Sequence, residues 1–258
     1  MHAIFAVIPI LAFQFDECRY SAPREATVDA AEAVQILVEA GAGNLKIEGK
    51  PGLRQARIRG TACASDRSLL EEIELTARRV GNEIRIAANT QDLELRNREY
   101  ARLNVTIEVP EGIAANIEDG SGETELSGLG AVDLQDGSGT ITVQHLSGSL
   151  SISDGSGGIQ VHDVRGDVTI EDGSGEIDLS DIDGTVDLRD GSGEILVSRV
   201  VRNVLISDSS GDIEVDIVGG NLTVRNDSTG DIDYSGVRGQ VRVPPNREHS
   251  RSRFRLLW

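Results

Sequence analysis

The segment Asp172-Gly173-Ser174-Gly175-Glu176-Ile177-Asp178-Leu179 returns again and again through the C-terminal half of this 258-residue chain. Close copies begin at Asp119, Asp136, Asp154, Asp172, Asp190, Asp208 and Asp227, at steps of 17, 18, 18, 18, 18 and 19 residues. A short fixed period marks stacked units, each too small to bury its own apolar face.

Each repeat splits into two halves, Asp172–Ser180 and Asp181–Arg189 for example, and each half is a turn followed by two apolar residues spaced by one. Alternation puts such a pair on one face of a strand. The first strand supplies Ile141/Val143, Ile159/Val161, Ile177/Leu179, Ile195/Val197 and Ile213/Val215. The second supplies Val132/Leu134, Leu150/Ile152, Val168/Ile170, Val186/Leu188, Val204/Ile206, Leu222/Val224 and Val241/Val243. A further aliphatic column, from Leu146 through Val164, Ile182, Val200 and Val218 to Val237, marks the corner between them. One coil cannot offset the entropy of ordering itself. Coils stacked ~4.8 Å apart pair every strand with parallel neighbours and align like side chains in ladders. The expected fold is all-β, a parallel β-solenoid of about 18 residues per coil with a β-rich N-terminal cap. The expected divisions are a leader over 1–17, the cap over 18–115, seven repeats over 116–243 and a basic tail over 244–258.

In the cap, Val34–Val38 and Leu45–Ile47 read as strands around the turn Ala40–Asn44. Ala40–Ile47 resembles a degenerate early repeat, with Ala40 in place of Asp and Ala42 in place of Ser. Asp66–Glu72 suits a short helical turn, and Ile73–Ala77 with Glu83–Ile86 flanks Val80-Gly81-Asn82 as a hairpin. Thr90–Tyr100 is polar and reads as a loop, while Leu103–Val109 alternates up to Pro110 as a half-buried strand. An open stack needs such a cap, because its last row of backbone groups is otherwise unpaired.

The chain carries a formal charge of −18, and all of it belongs to residues 116–243, where 25 acidic residues face 7 Arg. A surface this acidic repels phosphate backbones and anionic headgroups, which argues against nucleic acid and direct lipid binding. No Phe, Tyr or Trp lies between Arg102 and Asp233, so the core there is aliphatic. At the N-terminus Ala3–Phe13 is too short to span a bilayer but suits a secretory core segment. His2 stands where a basic flank is expected, and no small-x-small site precedes Cys18. Cys18 and Cys63, the two cysteines, either form a bridge suited to an oxidising compartment or remain free thiols.

The repeated turn accounts for its own residues. Gly at the fourth position (Gly122, Gly139, Gly157, Gly175, Gly193, Gly211, Gly230) suits a backbone angle or close approach that a Cβ opposes. Asp at the first position and Ser or Thr at the third suit an Asx-type turn. Carboxylates ~4.8 Å apart in water repel by less than ~1 kcal/mol, so a solvent-exposed ladder needs no metal. The rival is Ca²⁺ held between turns, as in Gly- and Asp-rich nonapeptide repeats; here Ile, Val or Leu takes the place of their coordinating Asp. No catalytic, cofactor or metal residues are singled out. His145 and His162 fall near the first strand's exit on adjacent coils as solvated corner residues. A polysaccharide-active β-helix needs paired carboxylates or a base in a groove, and such sites break the period with inserted loops. These coils have no insertions.

The Asp-Gly-Ser-Gly-x-Ile-x-Val repeats, with Gly43-Asn44-Leu45-Lys46-Ile47-Glu48-Gly49 ahead of them, resemble the bacterial adhesin-like domain family of unknown function. That family is similar to the auto-transporter adhesin head domain. The resemblance spans about Val34–Pro244 and implies a right-handed, single-stranded β-helix on an exported protein, with no catalytic residues to carry over. The chain departs from the family by lacking a lipobox and by its Arg-rich end, Asn246–Trp258. The expected function is a non-enzymatic structural or adhesin-like binding module, periplasmic, outer-membrane associated or on the cell surface. Its acidic faces would meet a protein or polysaccharide of the envelope. A carbohydrate-active enzyme and a Ca²⁺-responsive module are the alternatives. Arg202, in place of the Gly184 type, and Tyr234, in place of an aliphatic, are where the repeat departs from itself.

Overall fold

The computed structural model describes residues 18–90, 95, 99–225 and 229–244. The leader, most of the polar Thr90–Tyr100 stretch, Asp227 and the Arg-rich tail lie outside the described residues. The N-terminal elements are β1 (Tyr20–Asp29), β2 (Gln35–Ala40), β3 (Leu45–Lys50), β4 (Gln55–Ala64), α1 (Arg67–Glu72), β5 (Glu74–Val80), β6 (Glu83–Asn89) and β7 (Ala101–Pro110). Regular coils follow, two strands to each: β8 (Ala114–Asp119) and β9 (Gly122–Ser127), β10 (Val132–Asp136) and β11 (Gly139–Leu146), β12 (Leu150–Asp154) and β13 (Gly157–Val164), β14 (Val168–Asp172) and β15 (Ile177–Ile182). The series continues with β16 (Val186–Asp190) and β17 (Ile195–Val200), β18 (Val204–Asp208) and β19 (Ile213–Val218), β20 (Leu222–Arg225) and β21 (Ile232–Ser235), and β22 (Val241–Arg242).

The strands form two 11-stranded sheets, ordered β1-β4-β7-β3-β9-β11-β13-β15-β17-β19-β21 and β22-β20-β18-β16-β14-β12-β10-β8-β2-β6-β5. Each regular coil gives one strand to each sheet. Ile159 pairs with Ile177 and Ile170 with Leu188, so the ~18-residue period of the sequence is the parallel register itself. The β-solenoid expected from the repeat is the fold observed. Both strand pairs and the corner aliphatics from Leu146 to Val218 form one buried core between the sheets.

The cap follows the local signals. Asp66 opens α1 by accepting the Ser68 N–H at 2.8 Å, and β5 and β6 form the antiparallel hairpin around Gly81. Strands β1, β4 and β7 are antiparallel, which covers one end of the first sheet. The early repeat is a working coil, with β2 parallel to β8 and β3 parallel to β9. Its position departs from chain order: β2 and β3 lie between β6/β7 on one side and β8/β9 on the other. Cys18 and Cys63 form a disulfide with a Cα–Cα distance of 5.5 Å, which ties the start of β1 to β4.

Candidate functional site

The Asp-Gly-Ser-Gly turn sits where the second sheet hands the chain to the first. Its fourth glycine adopts φ +148° at Gly175, and a Cβ there would lie 1.5 Å from the Gly157 carbonyl oxygen of the coil below. Every glycine of this column, from Gly43 of the early coil to Gly230, has positive φ. Close approach lets the backbone ladder run through the corner, with Gly157 N donating to Ser174 O and Gly175 N to Ser192 O, both at 2.9 Å.

The aspartates of the turn do not face solvent, which corrects the expectation of an exposed ladder. Asp119, Asp136, Asp154, Asp172, Asp190 and Asp208 are only 1 to 8% exposed. The cause is the strand's two-residue alternation: Val132, Leu134 and Asp136 all point inward, and the same holds in the following coils as far as Val204, Ile206 and Asp208. The column is therefore an acidic seam along one edge of the core.

Its hydrogen bonding is uneven. Asp119 Oδ2 accepts the Thr124 hydroxyl at 2.6 Å and its Oδ1 accepts Gly120 N at 2.9 Å. Thr124 is in register with Ile141, and through it with Ile159, Ile177, Ile195 and Ile213, so the later coils offer an aliphatic chain where the first offers a hydroxyl. Asp154 and Asp172 each keep one amide, from Ser156 at 3.3 Å and Ser174 at 3.2 Å, and Asp208 accepts from Ser210 at 3.0 Å. Both carboxyl oxygens of Asp136 and of Asp190 are buried without a hydrogen-bond partner. Burial, reinforced by the carboxylates of Asp119 and Asp154, pushes Asp136 up to about 7. Burial, reinforced by Asp172 and Asp208, pushes Asp190 up to about 6. Burial likewise raises Asp119, Asp154 and Asp172. Among the described residues no group of three or more His, Cys, Asp and Glu side chains is placed to hold a metal ion.

The outer surfaces are of different character. Over the last four coils the first sheet presents Glu176, Asp178, Glu194, Asp212, Glu214, Asp231 and Asp233, all exposed. The corner after the first strand carries His145 and His162, exposed as expected, with ring centroids 6.3 Å apart. Asp181 joins His162 Nδ1 at 3.1 Å to a two-pronged contact with Arg199 at 2.7 Å, and the guanidinium holds its carboxyl below the usual range. Near the cap a shallow depression of about 500 Å³ is lined by Asn44, Lys46, Arg59, Asn104 and Glu125 among others. Its cations are already engaged, Lys46 with Glu125 at 2.6 Å and Arg59 with Glu108 at 3.4 Å. Arg202 is an exposed corner residue, and Tyr234 takes the Val215 column at the end of the core. Neither joins a cluster of reactive groups.

Residues 53–247 match the model of a family described as Toastrack DUF4097. No curated protein matches the sequence. Among solved structures, a candidate adhesin from Bacteroides fragilis aligns at 12% identity and a TM-score of 0.45, over 87% of this chain and 97% of its own. A candidate lipid-binding protein from Parabacteroides distasonis aligns at 16% and 0.47, over 85% and 93%. A candidate adhesin from Parabacteroides merdae aligns at 14% and 0.45, over 86% and 95%. At these scores none of the three descriptions transfers to this chain.

Proposed function

The chain belongs to the Toastrack DUF4097 family, and from that premise we propose that it is a non-enzymatic, exported binding module that meets its partner with the acidic face of its solenoid. The observation that carries this reading is the plate of exposed carboxylates from Glu176 to Asp233, on or just before first-sheet strands that no inserted loop interrupts among the described residues. Such a plate offers charge and area but no enclosed cleft in which a base and an acid converge. The partner that suits it is a basic protein surface or a hydroxyl-rich polysaccharide of the cell envelope. Export is supported by the Cys18–Cys63 disulfide, because such bridges persist in oxidising compartments. Among the described residues no helix is long and apolar enough to cross a membrane.

The test is equilibrium binding of the purified protein to a panel of envelope polysaccharides and basic proteins, with a parallel assay for new reducing ends or unsaturated sugar products. The expected outcome is salt-sensitive binding to at least one ligand, weakened by Asp178→Asn/Glu214→Gln/Asp233→Asn, with no product formed. Product formation would assign the protein to the carbohydrate-active alternative. Binding that ignores both salt and the triple variant would remove the acidic face from the reading.

A further inference from the structure

We propose that the inner aspartate column is a pH-responsive spine: in the folded protein two of its carboxyls, Asp136 and Asp190, hold protons, and raising the pH forces charge into the core and destabilises the solenoid. The geometry carries this. Both side chains are more than nine-tenths buried, and none of their oxygens has a hydrogen-bond partner. An ionised carboxylate so placed has lost its water and gained no well-formed hydrogen bond in return, whereas a protonated one is a small neutral polar group.

The groups that surround them do not rescue the charge. Along the column stand only further carboxyls, Asp119 and Asp154 beside Asp136, and Asp172 and Asp208 beside Asp190. From the second sheet come Leu134 and Leu188 of the same strands, and from the first sheet Ile141 and Ile195, in register with the Thr124 that serves Asp119. The turns add only the weak pull of amides, from Ser138 and Gly137 on Asp136 and from Ser192 and Gly191 on Asp190. Among the described residues no Lys, Arg or His forms an ion pair with either carboxyl.

The sign follows from where the proton is held more tightly. An unfolded Asp releases it near 3.9, whereas these two are raised in the folded state to about 7 and about 6. The stability they contribute is complete below the unfolded value and is lost as pH rises through 6 to 7. The column thus runs opposite to the common case, in which paired surface carboxylates favour neutral over acidic pH.

The experiment is thermal unfolding of the full chain between pH 5 and 8.5 at fixed ionic strength. It compares the wild type, Asp136→Asn/Asp190→Asn, and a surface control of equal charge change, Asp178→Asn/Asp233→Asn. The wild-type and control midpoints are expected to rise by at least about 4 °C from pH 8 to pH 5.5, and the inner variant is expected to lose most of that rise. A flat wild-type profile, or an inner variant with the control's slope, would overturn the proposal. So would millimolar Ca²⁺ at pH 8 matching the effect of acid, because metal and not protons would then neutralise the column. Carboxyl ¹³C titration of the Asp-labelled wild type gives a check without substitution. Two resonances with midpoints between about 5.5 and 7.5 support the spine, and uniform titration near 4 refutes it.

Discussion

At Gly175 two demands meet, a left-handed backbone and a carbonyl 1.5 Å from where a Cβ would stand. Gly52 shares only the first, having φ +75° and open space around it. Gly52→Ala is therefore expected to cost ~1 kcal/mol, the ordinary expense of a left-handed L-residue. Gly175→Ala must also push two coils apart, and a loss of at least ~3 kcal/mol is expected. Urea midpoints of the two variants at equal m-value measure the contrast, and equal losses would mean that stacking distance does not constrain the turn. Thr124 is the other telling residue. Among the described residues its hydroxyl is the side-chain donor to the column, so Thr124→Val is expected to cost ~1–3 kcal/mol at pH 8, where Asp119 has charge to lose. The cost should shrink as the pH falls and Asp119, already raised by burial, takes up a proton. Denaturation at pH 8 and pH 5 gives the comparison, and a cost independent of pH would point to packing alone.

Strands and corners differ in how plainly the sequence shows them. Pairs such as Ile177/Leu179 mark their strands because aliphatic alternation leaves one reading open. The same alternation, carried one step beyond Val132 and Leu134, reaches Asp136 and turns it inward. Aspartate beside Gly and Ser has so strong a turn signature that residue type masks the register. The second corner gives no compositional signal at all. His145, Asp163, Asp181, Arg199 and Ile217 repeat a left-handed conformation at φ 56° to 58°. Geometry at the exit of the first strand imposes it on whatever side chain is there. For a β-branched residue this is the most strained choice, and Ile217 is also half exposed. Ile217→Asn keeps the conformation with a residue that tolerates it, so a gain of ~1 kcal/mol, about 2–4 °C in the thermal midpoint, is expected. A lower midpoint would show that the exposed isoleucine packs against the corner more than it strains it.

The whole molecule contains two kinds of stacking. From β8 to β22 the coils follow chain order, but the β2–β3 coil is set between strands that come later in the chain. No local pattern announces that insertion, because it depends on which distant edge accepts a degenerate repeat. In the ordered part each coil meets only its two neighbours, and stability there is approximately a sum of coil and junction contributions. Removing Gly173–Asp190 deletes one full period and joins Asp172 to Gly191. Every remaining strand keeps its sheet, the glycine and aspartate columns stay continuous, and the ends are unchanged. The shortened protein is expected to keep its β spectrum and cooperative unfolding at a lower midpoint. Removing Asp172–Ser180 instead deletes most of β15 together with Asp172, the last residue of β14, so two strands of the second sheet follow one another with no complete strand of the first between them. The chain must then cross the core or leave Ile159 and Ile195 without the Ile177 that spaces them. Loss of cooperative unfolding or aggregation is expected for this nine-residue deletion, although it removes half as much chain. Circular dichroism and urea unfolding of both variants decide the matter. If the full-period deletion is the more damaging of the two, the 18-residue coil is not the interchangeable unit of this fold.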